Sequence, residues 1–195
     1  MLAAVILAAG ESSRMGSPKA LLTFQGRPFL EHLIQVTQHP RVGPRRIVLG
    51  ANAEEIRGQL KLDPAMVVVN PDWKLGQLSS IHAALRSLPA GTTDGVMLCL
   101  VDHPLITAHL VGELIESFYK SGKPIVLPSY GGKRGHPVIF SSTLYSELFA
   151  APLETGARAV VWAHAAEVLE VPTIEEGVVL NLNDPETLKH ALGSS

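Results

Sequence analysis

Apolar runs alternate along this chain with stretches whose apolar positions recur every three to four residues. The runs "AAVILAA" (3–9), "RRIVLGA" (45–51), "AMVVVN" (65–70), "GVMLCLVD" (95–102) and "KPIVLPS" (123–129) predict strands. Their hydrophobicity is nearly continuous rather than alternating, as expected of strands covered on both faces in a parallel sheet. Between them, Pro28 to Gln38 carries Phe29, Leu30, Leu33, Ile34 and Val36 on one helical stripe. Asn52 is placed to cap a helix over Ala53 to Leu62. Helical spacing returns over Gln77 to Leu88 and over Ala108 to Tyr119, the latter introduced by Thr107 as N-cap. This alternation predicts an α/β fold, a three-layer sandwich with a mostly parallel sheet and right-handed crossovers.

The pattern changes after about residue 130. "SYGGKRGHPVIFS" predicts a Gly-rich turn feeding a strand that closes over a pocket. Helices are expected over Ser142 to Phe149 and Thr155 to His164. Two extended runs follow, "EVLEVP" and "GVVLNL", and then a last helix from Pro185 to Leu192. No repeat or long linker divides the chain, so residues 1–195 are expected to form a single domain.

Composition narrows the classes. Hydrophobic residues make up 46% of the chain and charged residues 17%, a globular balance. A formal net charge of −2 gives no global attraction to nucleic acid or to an anionic membrane, so neither is expected as a partner. The N-terminal run lacks a basic leader and flows into a patterned loop, so it reads as a first strand rather than a signal peptide. No apolar stretch approaches the ~20 residues of a membrane span. The one cysteine, Cys99, excludes an intrachain disulfide and a thiolate-rich metal site. A cytoplasmic protein is the expectation.

The chemistry concentrates in "LAAGESSRMGSPKALL". A loop leaving the first strand of an open α/β sheet lies where such folds bind ligands. Gly10 and Gly16 permit close backbone approach, their amides form an anion nest, and Arg14 and Lys19 add cationic charge suited to a polyphosphate. The spacing is not that of a P-loop: five residues separate the glycines, and Lys19 lies three beyond Gly16. A Gly-rich connection with solvated charges is the plain alternative. In "CLVDHPLIT", Asp102 ends the most apolar strand, where a magnesium triphosphate held by the first loop would need a carboxylate. The alternative there is an Asp that starts a turn before proline. "NPDWKLGQLSSIHAAL" places Ser79 and Ser80 at a helix start, either as an N-cap or as a polar edge for an anion or base. The other histidines, His32, His39, His82, His109, His164 and His190, show no ligand spacing.

The whole first-loop string closely resembles the signature of the MobA-like nucleotidyltransferases that couple a nucleotide to molybdopterin, and more broadly that of sugar-nucleotide and isoprenoid cytidylyltransferases. The resemblance runs roughly from Leu2 to Leu188. It implies a Rossmann-like nucleotidyltransferase fold, related to glycosyltransferase A, with a nucleotide-binding part over about 1–105 and an acceptor-binding part over about 106–195. It implies nucleotide contacts from Leu7, Ala8, Ala9, Gly10, Glu11, Ser12, Ser13, Arg14, Gly16, Lys19, Ser79 and Ser80. Arg14, Lys19 and Asp102 would be the catalytic set, with Mg²⁺ as cofactor on Asp102. "GGKRGHPVIF" and "VVLNLNDPETL" resemble the family's acceptor-side segments. They imply acceptor contacts from Arg134, Gly135, His136, Pro137 and Asn181, joined by His103 of "CLVDHPLIT", with Asn183 as a second, neutral metal ligand.

The implied reaction is attack of a molybdopterin phosphate on the α-phosphorus of a nucleoside triphosphate, releasing pyrophosphate. The implied later partner is a molybdoenzyme chaperone or target enzyme that receives the product. "AAG" in the loop resembles the cytidylyl version, and two alanine methyls narrow the base site toward a pyrimidine, so CTP is the expected donor. The competing readings are GTP as donor, a sugar phosphate or other phosphate as acceptor, a nucleotide- or pterin-binding protein without turnover, and a plain interaction domain.

Overall fold

The computed structural model describes residues 1–12, 15–183 and 186–187. Strand β1 (Leu2–Ala8) is buried along its whole length. A small antiparallel pair, β2 (Thr23–Phe24) and β3 (Arg27–Pro28), leads into helix α1 (Phe29–Val36). Then come β4 (Val42–Leu49), α2 (Ala53–Gln59), β5 (Val67–Val69), α3 (Gln77–Ser87), β6 (Gly95–Leu100) and α4 (Ala108–Ser121). The last part contains β7 (Ile125–Tyr130), β8 (Lys133–Arg134), β9 (Val138–Ser141), α5 (Tyr145–Ala150), α6 (Arg158–Ala163) and β10 (Val168–Pro172).

Seven strands form the main sheet in the order β10-β7-β9-β6-β1-β4-β5, and β8 pairs with β7 at one end. β1 runs parallel to both β4 and β6, β4 is parallel to β5, and β7 is parallel to β10. Only β9 and β8 run counter to this direction. The chain first steps outward from β1 to β4 and β5, then returns to place β6 on the other side of β1. The loops after β1 and β6 therefore diverge and leave a crevice at the carboxyl ends of these strands.

β1 shows why the sheet needs helices on both faces. Successive side chains point to opposite sides. Leu2, Ala4, Ile6 and Ala8 pack with residues of α1, α2 and α4, whereas Ala3, Val5, Leu7 and Ala9 pack with residues of α3, α5 and α6. Helix α4 starts where the Thr107 hydroxyl accepts from the Leu110 amide, and it stops at Gly122, whose φ of 64° is left-handed. Cys99 is fully buried, and burial pushes its thiol up to about 12.

Three expectations are corrected. "VIFS" does not cover a pocket from outside: its strand β9 is threaded between β6 and β7, and Val138 and Phe140 line a cavity from within the sheet. "GVVLNL" is not extended. It opens as a 3₁₀ turn (Glu176–Val178) laid against the functional loops, because Val178 O accepts from His136 N and Leu182 N donates to Asp102 O. Asn52 makes no cap hydrogen bond; its Nδ2 donates instead to Glu11 O, 3.2 Å away in the first loop. Most of the expected helix over Pro185 to Leu192 lies outside the described residues. Among the described residues no helix is long and apolar enough to cross a membrane.

Candidate active site

Among its described residues the first loop turns through two left-handed positions, Ser12 (φ 55°) and Gly16 (φ 68°). Met15 N donates to Ser12 O at 2.9 Å, and Lys19 N donates to Ser12 Oγ at 3.0 Å. These bonds fold the loop back so that Lys19 begins a 3₁₀ turn (Lys19–Leu21) facing the crevice.

Asp102 stands just beyond β6. Lys19 Nζ lies 3.4 Å from Asp102 Oδ2 and also donates to Asn183 Oδ1. The side chains of Lys19 and Asp102 are only 15% and 19% exposed, so their attraction is screened less than on open surface. Desolvation opposes that gain, so the pair adds little net stability. Asp102 Oδ1 is buried without a hydrogen-bond partner. His103 Nε2, 3.8 Å from it, is beyond hydrogen-bond reach.

A cavity of about 340 Å³ opens between the two loops. Leu7, Ala8, Ala9, Gly10, Ser12, Lys19, Ser80 and Asp102 all line it. Glu11 and Gly16 are exposed residues of the same loop outside that lining. Ser13 and Arg14 lie outside the described residues. Ser79 is turned away into a polar knot: Asn70 Nδ2 donates to Ser79 Oγ (2.9 Å) and Ser80 Oγ (3.0 Å), and Ser79 Oγ lies 2.7 Å from Gly76 O. That knot fixes the loop leading into α3. Gly50 shapes the wall behind the cavity, since a Cβ there would meet Ala9 O at 2.5 Å and Trp73 Cβ at 2.7 Å.

A second cavity, also of about 340 Å³, adjoins the first and shares Leu7, Gln77 and Leu100 with it. Arg134, Gly135 and His136 line it. Arg134 Nε donates to Glu170 Oε1 at 2.7 Å, so β8 and β10 hold its guanidinium in place. The His136 ring lies 5.0 Å from that of His103. Burial, with the His103 ring beside it, pushes His136 down to about 4, and burial lowers His103 as well. His103, Pro137 and Asn181 do not line this cavity. The first two are buried behind it, and Asn181 is exposed on the segment that brings Asn183 to Lys19.

Sequence reasoning missed several lining residues. Trp73, Lys74 and Gln77 line the first cavity from within the quoted stretch before α3, and their place beside Gly76 was the available signal. Arg158, Val161 and Trp162 line the second cavity from one face of α6, a helical i, i+3, i+4 spacing. Among the described residues no three His, Cys, Asp or Glu side chains converge as a metal cluster.

A crevice at the switch point of a doubly wound sheet, with loop amides, a lysine and a strand-end carboxylate around it, defines a nucleotide-handling α/β protein. Comparison with known proteins agrees. The chain belongs to the family described as the MobA-like NTP transferase domain, which matches residues 4–168. Nicotine blue oxidoreductase of Paenarthrobacter nicotinovorans is 34% identical over 151 residues, covering 72% of this chain and 71% of that relative. A molybdenum cofactor guanylyltransferase of Xanthomonas euvesicatoria pv. vesicatoria is 35% identical over 111 residues, covering 57% of this chain and about half (52%) of that protein. The crystal structure of Rv0371c from Mycobacterium tuberculosis H37Rv superposes with a TM-score of 0.84 at 25% identity, covering 100% of both chains. The same protein is known as a complex with manganese, which superposes with a TM-score of 0.76 at 25% identity over 100% of this chain and 99% of that one. These findings support a nucleotidyltransferase.

Proposed function

We propose that this protein transfers a cytidylyl group from CTP to the terminal phosphate of molybdopterin and releases pyrophosphate. The observation that carries the reading is the meeting of Lys19, Asp102 and Asn183 at the mouth of an amide-lined cavity that opens directly into a second one. The first cavity takes the triphosphate and base; the second takes the acceptor. An acceptor phosphate oxygen attacks the α-phosphorus, a new P–O bond forms, and the bond to the bridging oxygen breaks as pyrophosphate leaves. The acceptor phosphate is already ionised at neutral pH, so no general base is required.

The protein's task is positioning and neutralisation of charge on the five-coordinate phosphorus and the leaving group. Lys19 and the loop amides supply that charge complement, and Arg14 joins them by its place in the loop motif. The donor set fits a divalent ion such as Mg²⁺: Asp102 Oδ1 is buried and unpartnered, and Asn183 adds a second hard oxygen. Bound there with phosphate oxygens and water, the ion would supply Lewis-acid neutralisation of the triphosphate. Ala8 and Ala9 both line the first cavity and are 5% and 7% exposed, so their methyls limit the depth open to a base and support CTP over GTP.

Pyrophosphate release is to be measured with each of the four triphosphates, a divalent cation and molybdopterin. Selective turnover of CTP is expected, and faster turnover of GTP overturns the base assignment. The relative named an oxidoreductase favours a second reading, in which the same cavities bind without nucleotidyl transfer. Nucleotide binding with no pyrophosphate release from any triphosphate would establish that alternative.

A further inference from the structure

The two cavities share three lining residues, and two of these are aliphatic. Leu7 and Leu100 are register partners at the carboxyl ends of β1 and β6, so they form a greasy floor under the junction. The third is Gln77, the first residue of α3. It is exposed, and no hydrogen bond ties its carboxamide to another described residue. The remaining polar groups divide cleanly. Lys19, Lys74, Ser80 and Asp102 line only the first cavity, whereas Arg134, His136, Thr155 and Arg158 line only the second. Gln77 is thus the one polar side chain described on both sides of the junction.

A transfer between two phosphates must occur where the two chambers meet. Two anions brought together over an aliphatic floor repel strongly, because little water remains to screen them. A neutral carboxamide suits that position: its NH₂ group can donate to two phosphate oxygens at once, and it brings no fixed charge to attract one substrate away from the other. The Asn70–Ser79–Ser80 knot sets the start of α3 and so fixes where Gln77 emerges.

We infer that Gln77 is a catalytic residue that bridges the donor α-phosphate and the attacking acceptor phosphate through its amide donors. The inference rests on the transferase reading above and names the group that aligns its two substrates. Gln77→Ala, Gln77→Glu and Gln77→Arg are to be compared with the wild type in pyrophosphate release from CTP with Mg²⁺ and molybdopterin. CTP affinity and melting temperature are recorded separately for each.

The expected order of kcat is Glu lowest, then Ala, then Arg, which keeps the donors but adds a fixed charge, with wild type highest. Ala should lose about 100-fold and Glu about 1,000-fold, the span seen when a transition-state donor is removed. Melting temperature should stay close to wild type in the Ala variant, since the side chain is exposed, and CTP affinity should fall by less than kcat, since the bridging contact is made fully only in the transition state. Equal kcat in the Ala and Glu variants, or an Ala variant within twofold of wild type, overturns the role of Gln77 alone. A wild-type protein that releases no pyrophosphate overturns the transferase reading and this inference with it.

Discussion

Lys19 Nζ and Asp102 Oδ2 stand 3.4 Å apart although 83 positions separate them in the chain. The pairing follows from topology: each residue trails the end of one of two adjacent parallel strands, β1 and β6, whose connections leave in opposite directions. Asn183 closes the set from the far end of the chain. Asp102→Ala should lower turnover at least about 100-fold, as loss of one preorganised electrostatic contact does. CTP should still bind, held by the loop amides and Lys19. Turnover assays beside calorimetric titration with CTP check this; full activity in the variant would remove Asp102 from the chemistry.

Ala9 sits where its backbone carbonyl accepts from Ala51 N at 3.2 Å, and Gly50 and Trp73 press around it. Its position is therefore rigid, and its methyl, packed beside Gly50, belongs to the wall of the first cavity. Ala9→Gly should raise the GTP to CTP ratio of kcat/KM several-fold, about 1 kcal/mol for one methyl group. The ratio measured at matched Mg²⁺ tests the point. An unchanged ratio would mean that base choice lies elsewhere, for example with Trp73 or Lys74.

Gly135 lies against the segment that carries Leu182 and Asn183. A Cβ on it would meet Val178 O at 2.5 Å and Val178 C at 2.8 Å, both backbone atoms that cannot swing aside. Gly135→Ala should cost about 1–3 kcal/mol of stability through overpacking. It should also displace Val178 from its hydrogen bond with His136 N. Chemical denaturation and turnover should both worsen. A variant of wild-type stability would show that the 176–183 segment yields easily.

His164 is held between two carboxylates, with Nδ1 2.7 Å from Glu167 Oε2 and Nε2 2.8 Å from Glu147 Oε2. Hydrogen bonding to Glu167 and then to Glu147 raises its pKa above the ordinary histidine value. The folded state therefore holds this proton more tightly than the unfolded one. The stability gained is complete below about pH 6.5, the unfolded value, and fades as pH rises through the higher folded value. His164→Gln should lower the melting temperature at pH 6 and have a smaller effect at pH 9. Melting curves at the two pH values decide it, and a deficit that grew with pH would reverse the assigned sign.

The fold was legible where burial on both faces left an unbroken apolar record, as in β1 and β6. It was least legible after residue 130, where tertiary contacts override local pattern. "VIFS" reads as a covering strand, because nothing local tells it to enter a parallel sheet in the opposite direction. "GVVLNL" has the composition of a strand, but its amides and carbonyls are taken by His136 and Asp102 rather than by a neighbouring strand. At the site, Lys19 and Asp102 announce themselves through charge set against apolar strand ends. Gln77, Arg158 and Trp162 do not: a neutral amide at a helix start and two residues on an exposed helical face look like ordinary surface until the second cavity is seen.

β9 has a consequence for how such a protein could be recombined. It hydrogen-bonds to β6 on one side and β7 on the other, so the chamber walls contributed by early and late sequence are stitched into a single sheet. A graft that exchanged the later half at a cut after β6 would have to bring a β9 whose register fits the host's Gly95–Leu98. Any chimera that ignored that seam would expose a raw edge at the centre of the molecule, so new acceptor preferences are more readily gained by altering side chains on α6 than by swapping the half that bears it.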